Sequence, residues 1–150
     1  MTAAGLAFVM LALPLRASAS LGGDASTVQA DQVQMQGAVM RISNNDTYTV
    51  QEMRAATGTM VREFVSSSGK VFAVAWQGPS IPDMRQVLGS YFDQYAAAAQ
   101  AAQKTRTHHG PVAIQQSDLV VEVSGHARAF AGRAYVPQMV PSGIQPDAIR

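Results

Sequence analysis

The chain has 150 residues, 47% of them hydrophobic and 14% charged, with a formal net charge of +1 and no cysteine. That allows one domain of ordinary size. It excludes a disulfide-stapled miniprotein, a cysteine-ligated metal site and a thiol nucleophile, and it argues against a nucleic-acid binder held by bulk positive charge.

Gly5 to Leu15 is an uncharged apolar run, followed by Arg16-Ala17-Ser18-Ala19-Ser20. Small residues at Ala17 and Ala19 make an A-x-A cleavage signal. A bilayer span needs roughly 20 apolar residues, so this run is too short to be one. Residues 1–19 are therefore read as a secretory signal peptide cut after Ala19, with export to the periplasm or beyond. A buried N-terminal helix is the competing reading, because only the α-amino group supplies positive charge ahead of the run. Cleavage would remove Arg16 and leave equal numbers of basic and acidic side chains. Such a chain is not steered to DNA or anionic lipid by its overall field.

Asp24 to Gln36 reads as a weak surface helix, with Asp24 or Ser26 as its cap and Gly37 as its stop. A β region follows. Asn44-Asn45-Asp46 is a turn signal, and Tyr48–Met53, Met60–Val65 and Val71–Trp76 hold strand formers. The Ser66–Gly69 loop between the last two makes them a hairpin. Simple alternation puts Phe72, Val74 and Trp76 on one face and Val71, Ala73 and Ala75 on the other. Both faces are apolar, so this strand belongs at the centre of its sheet.

Ile81-Pro82-Asp83 opens the clearest helix, with Pro at its first position and Asp in its first turn. Met84, Val87, Leu88, Tyr91, Phe92 and Tyr95 form one apolar stripe that must lie on the sheet. The helix continues into an Ala/Gln-rich tail, which offers a route to self-association. Thr105 to Pro111 reads as a loop. Leu119–Ser124 and Ala127–Val136 read as a second hairpin around Gly125-His126. Pro137, Pro141 and Pro146 forbid a long regular element afterwards. The expected fold is α+β: a mainly antiparallel sheet of about five strands with one long amphipathic helix packed on it and a weak N-terminal helix. Residues 20–136 form its single domain, and 137–150 a Pro-rich C-terminal tail.

Several runs carry a resemblance: Leu21–Asp24, Gly58–Val65, Gly69–Pro79, Pro82–Phe92 and Ser124–Ala134. Val71-Phe72-Ala73-Val74-Ala75-Trp76-Gln77-Gly78-Pro79 is the most specific. Together they resemble the bacterial exported proteins of the domain of unknown function 2844 family, over nearly all of residues 21–150. The resemblance implies an exported single-domain protein. It brings no activity, cofactor or catalytic residue with it.

Three groups stand out as candidate sites. His108-His109 is the metal candidate, but a zinc site needs three or four ligands and only His126 remains. A solvated loop accounts for the pair, and no metal or other cofactor is expected. His126, Arg128 and Arg133, joined by Arg62 if the hairpins lie side by side, are a candidate anion or carboxylate site through arginine forks. The plain alternative is a solvent face on which these arginines pair with Glu52, Glu63 or Glu122. Trp76, with the helix aromatics, is either a ligand wall or core beneath the helix. No Gly-x-Ser-x-Gly elbow or phosphate loop occurs.

The reading favoured by these features is a non-enzymatic exported module that binds a protein partner or envelope component through its sheet face or tail. It has no nucleic-acid partner and no transmembrane anchor. An envelope hydrolase using Glu63 or His126 as base is the alternative.

Overall fold

The computed structural model describes residues 20–25, 38–105 and 111–150. Seven strands form one sheet in the order β1-β2-β3-β4-β7-β6-β5, with every neighbouring pair antiparallel. They are β1 (Ala38–Asn44), β2 (Tyr48–Arg54), β3 (Met60–Ser66), β4 (Val71–Gly78), β5 (Val112–Gln115), β6 (Val120–His126) and β7 (Ala129–Tyr135). The first four form a meander. The chain then crosses over through the helical segment and returns from the far edge, so that β7 pairs with β4.

The five-strand expectation is corrected by β1 and β5. Among the described residues each is an edge strand that pairs on one side. β5 has only four residues and follows Pro111, and the pairing of β1 with β2 shifts register between Val39 and Arg41. The expected N-terminal helix is corrected too. Asp24, its proposed cap, forms a β-bridge with Lys70 and an ion pair with it at 2.9 Å. Residues 26–37, which hold the rest of that proposal, lie outside the described residues, as do the signal peptide and His108-His109.

All six residues from Val71 to Trp76 are buried, so β4 is covered on both faces. The simple alternation fails at its start. Phe64 pairs with Ala73 and Val65 with Val71, which leaves Phe72 as an extra residue in a β-bulge. The bulge puts Val71, Val74 and Trp76 in one apolar cluster and Phe72, Ala73 and Ala75 in another. One extra residue therefore turns two neighbouring side chains to the faces opposite those expected.

The first cluster lies under the helical segment. Asp83 caps α1 (Met84–Leu88) by accepting a hydrogen bond from the Arg85 amide at 2.9 Å. Pro82 thus lies outside the helix. α1 stops at Gly89, a 3-10 turn (Gly89–Tyr91) follows, and α2 (Phe92–Thr105) continues. The single helix expected here is broken because another segment passes at that point. The Leu21 amide donates to the Val87 carbonyl at 3.0 Å, taking an acceptor that a continuous helix would use. A Cβ on Gly89, which has a φ of +51°, would fall on the Ser20 side chain. Gly22 and Gly23 bond to both sides of Val71. The Ser20–Asp24 strap thereby joins the helix to the central strand.

Val87 and Leu88 are buried with Leu21, Met53, Val61, Trp76 and Val121, and Met84, Tyr91, Phe92 and Tyr95 pack around them. Burial raises the pKa of the Tyr95 hydroxyl. Glu63, 1% exposed, also lies in this layer between Val61 and Val65. Trp76 lies flat on Gly132, where a Cβ would enter the indole ring.

The second cluster lies under the C-terminal segment. Tyr48, Phe64 and Phe72 form a triangle of rings with centroids 6.0–6.1 Å apart. Residues 137–150 are not a free tail. They form two 3-10 turns (Pro137–Met139 and Pro146–Ala148) and bring Met139, Val140, Ile144 and the buried Ile149 into the same apolar cluster.

The helical cover sets the stability of the domain. Leu88→Ala is expected to cost about 3 kcal/mol through lost burial and the cavity left behind. A lowered urea midpoint with unchanged slope is the expected result.

Candidate functional site

Cross-strand register aligns a row of side chains on the face covered by the C-terminal segment. It runs Arg41, Glu52, Arg62, Ala75, Arg133, Glu122 and Ala113, one residue from each strand. Arg62 Nε donates to Glu52 Oε2 at 2.7 Å, and Arg133 Nε to Glu122 Oε2 at the same distance. The two pairs flank Ala75. Both are half-buried, so each contributes at most about 1 kcal/mol.

Arg133 has a second task. Its Nη1 donates to the Pro146 carbonyl at 2.6 Å and lies 3.8 Å from Asp147. It staples the C-terminal segment to the sheet just ahead of Ile149.

Beside this staple lies a cavity of about 380 Å³. Its floor spans β4, β7, β6 and β5 near Gln77, Ala131, Ser124 and Ala113, and Ile149 and Arg150 form a wall. The cause is local sequence. Gln77, Ala131 and Ser124 are in register, and β7 carries Ala131 where a larger residue would fill the space. The cavity is at the lower end of the range for small-molecule sites.

The residues singled out in the sequence do not meet at one point. Arg62 and Arg133 share a face and lie on either side of Ala75. Trp76, 3% exposed, belongs to the helix-side core, although its strand position borders the cavity floor. His126 and Arg128 lie at the exposed tip of the β6–β7 hairpin. Its turn is Ala127-Arg128, with His126 paired to Ala129, rather than a turn around Gly125-His126. Arg128 takes a φ of +70° there and is no longer on a strand face with His126 and Phe130. The His126 ring approaches only the Ala127 carbonyl, at 3.3 Å.

Of the three expected carboxylate partners, Glu52 and Glu122 pair with Arg62 and Arg133, whereas Glu63 points away from this row into the helix-side core. Glu63 and His126 therefore share no site. Among the described residues no three His, Asp or Glu side chains are grouped to hold a metal ion, and no helix is long and apolar enough to cross a membrane.

The family model described as "Protein of unknown function (DUF2844)" matches residues 17–149. The chain belongs to this family. No curated protein and no solved structure matches it. The match ends at Ile149, so it takes in the C-terminal segment that walls the cavity.

Arg133→Gln should loosen that segment with only a small loss of stability, about 1 kcal/mol. Carboxypeptidase digestion is expected to run past Ile149 faster than in the parent. Equal rates would assign the hold to Ile149 alone.

Proposed function

We propose that this protein is an exported, non-enzymatic binding module that takes a small amphipathic ligand in the cavity beside Ile149. The observation that carries the reading is the cavity itself: a trough over small residues on a sheet face that the chain's own C-terminal segment covers only in part. Ala131 and Ala113 offer an apolar floor. Gln77 and Ser124 supply polar groups at its margin, and Arg133 and Glu122 bound it. Few polar groups on an apolar surface are the usual composition of a small-molecule site. A hydrolase using Glu63 or His126 as base is disfavoured because neither lines the cavity: Glu63 is buried in the helix-side core and His126 stands at an exposed hairpin tip.

Export is supported by the short apolar run and the Ala17-x-Ala19 pattern. It is also supported by the position of the folded unit: Ser20 and Leu21, the first two residues after the proposed cleavage point, are already buried.

Two measurements test the proposal. Anilinonaphthalene sulfonate, an amphipathic probe, should bind the folded protein and change the emission of Trp76. Ala131→Phe, which fills the trough, should abolish that binding while leaving the circular dichroism unchanged. Binding retained in the variant would remove the cavity as the site. Separately, the full chain expressed in a bacterial host should yield a product whose mass begins at Ser20. A product that keeps residues 1–19 would overturn export by this signal.

A further inference from the structure

The two Arg–Glu pairs have matching geometry but different surroundings. Arg133 has its Nη1 engaged by the C-terminal segment. Arg62 spends only its Nε, on Glu52, and its two Nη groups make no hydrogen bond among the described residues. Glu52 thus holds the Arg62 guanidinium by one edge and leaves the fork of its outer nitrogens open. The side chain keeps 32% of its surface exposed.

Two further arginines adjoin this fork. Arg41 stands opposite Glu52 on β1, on the side away from Arg62. Arg54 follows two residues after Glu52 on β2, so it projects from the same face. Both are exposed, and neither has an ion pair among the described residues. Neighbouring strands are about 4.8 Å apart, so the backbones at Arg41 and Arg62 stand about 10 Å apart on either side of Glu52, and Arg54 about 7 Å along β2 from it, spans that arginine side chains can bridge. Like charges placed so closely repel, and the cluster carries an excess of two positive charges.

We propose that Arg41, Arg54 and Arg62 form a binding site for a phosphoryl dianion, the terminal group of a phosphate monoester. A dianion neutralises the excess, whereas a carboxylate would leave one charge uncompensated. A tetrahedral group with three free oxygens can take the Arg62 fork in bidentate fashion and still meet Arg41 and Arg54. Glu52 is a positioning residue that aims the fork. The site lies on the far side of β4 from the cavity, so it stands or falls independently of the function proposed for that cavity.

The test is calorimetric titration of the protein with inorganic phosphate at a pH where the dianion dominates. A parallel arm uses sedimentation with phosphatidylcholine vesicles containing phosphatidic acid, whose headgroup is a phosphate monoester, or phosphatidylglycerol, a diester. Binding is expected in the millimolar range or tighter. Arg62→Gln and Arg54→Gln are each expected to weaken it about tenfold, the worth of one lost charge-assisted bond. Arg128→Gln removes the same charge at the distant hairpin tip and should leave affinity unchanged. Thermal melts confirm that each variant is folded.

Binding of phosphate alone identifies a soluble monoester as the source, and preference for phosphatidic acid vesicles identifies a lipid headgroup; either supports the site. The proposal is overturned if neither probe binds, if phosphatidylglycerol binds as well as phosphatidic acid, or if Arg128→Gln weakens binding as much as Arg62→Gln.

Discussion

Val71–Trp76 has apolar side chains on both faces, and no strand with that pattern is stable without two separate covers. The rest of the chain is organised around this requirement. Residues 84–105 supply one cover and residues 137–150 the other. The bulge at Phe72 decides which side chain belongs under which. It sends Phe72 to the rings of Tyr48 and Phe64 and keeps Val71 beside the helix and the Ser20–Asp24 strap.

The two covers differ in chemistry, and the difference locates the candidate sites. The helical cover is apolar and well seated, with Val87 and Leu88 at 2% and 0% exposure. The C-terminal cover is narrow. It reaches the sheet through a few side chains and one arginine staple, so it fills the trough near Phe72 and leaves it open near Ala131. Space for a ligand and the open Arg62 fork both arise because a short segment with only two 3-10 turns cannot span a seven-stranded sheet.

The features that were legible in the sequence are those fixed by local periodicity. The burial of β4 on both sides, the apolar stripe from Met84 to Tyr95 and the Ser66–Gly69 hairpin all follow from spacing. What could not be read depended on partners distant in sequence. Ala38–Asn44 has no strong alternation and becomes a strand by pairing with β2. The helix breaks at Gly89 because Ser20 and Leu21 arrive there, some 70 residues away along the chain. Arg62 and Arg133 could be named from the sequence, but the partition of Glu52, Glu122 and Glu63 between two faces needed the register. Arg41 and Arg54 gave no signal, because their proximity exists only once β1 is known to be a strand.

Among the described residues the sheet ends in two outer strands, and the outer amide and carbonyl groups of such strands can recruit foreign strands, the usual route to fibrous association. Here both margins are blunted. β5 is four residues long and has Pro111 at its threshold, where a missing amide interrupts any added ladder. β1 kinks between Val39 and Arg41 and carries a cation at the kink. A protein without disulfides has no cross-link to restrain its unfolded chain. For such a protein, these uneven borders work against strand-to-strand stacking when many copies are crowded together.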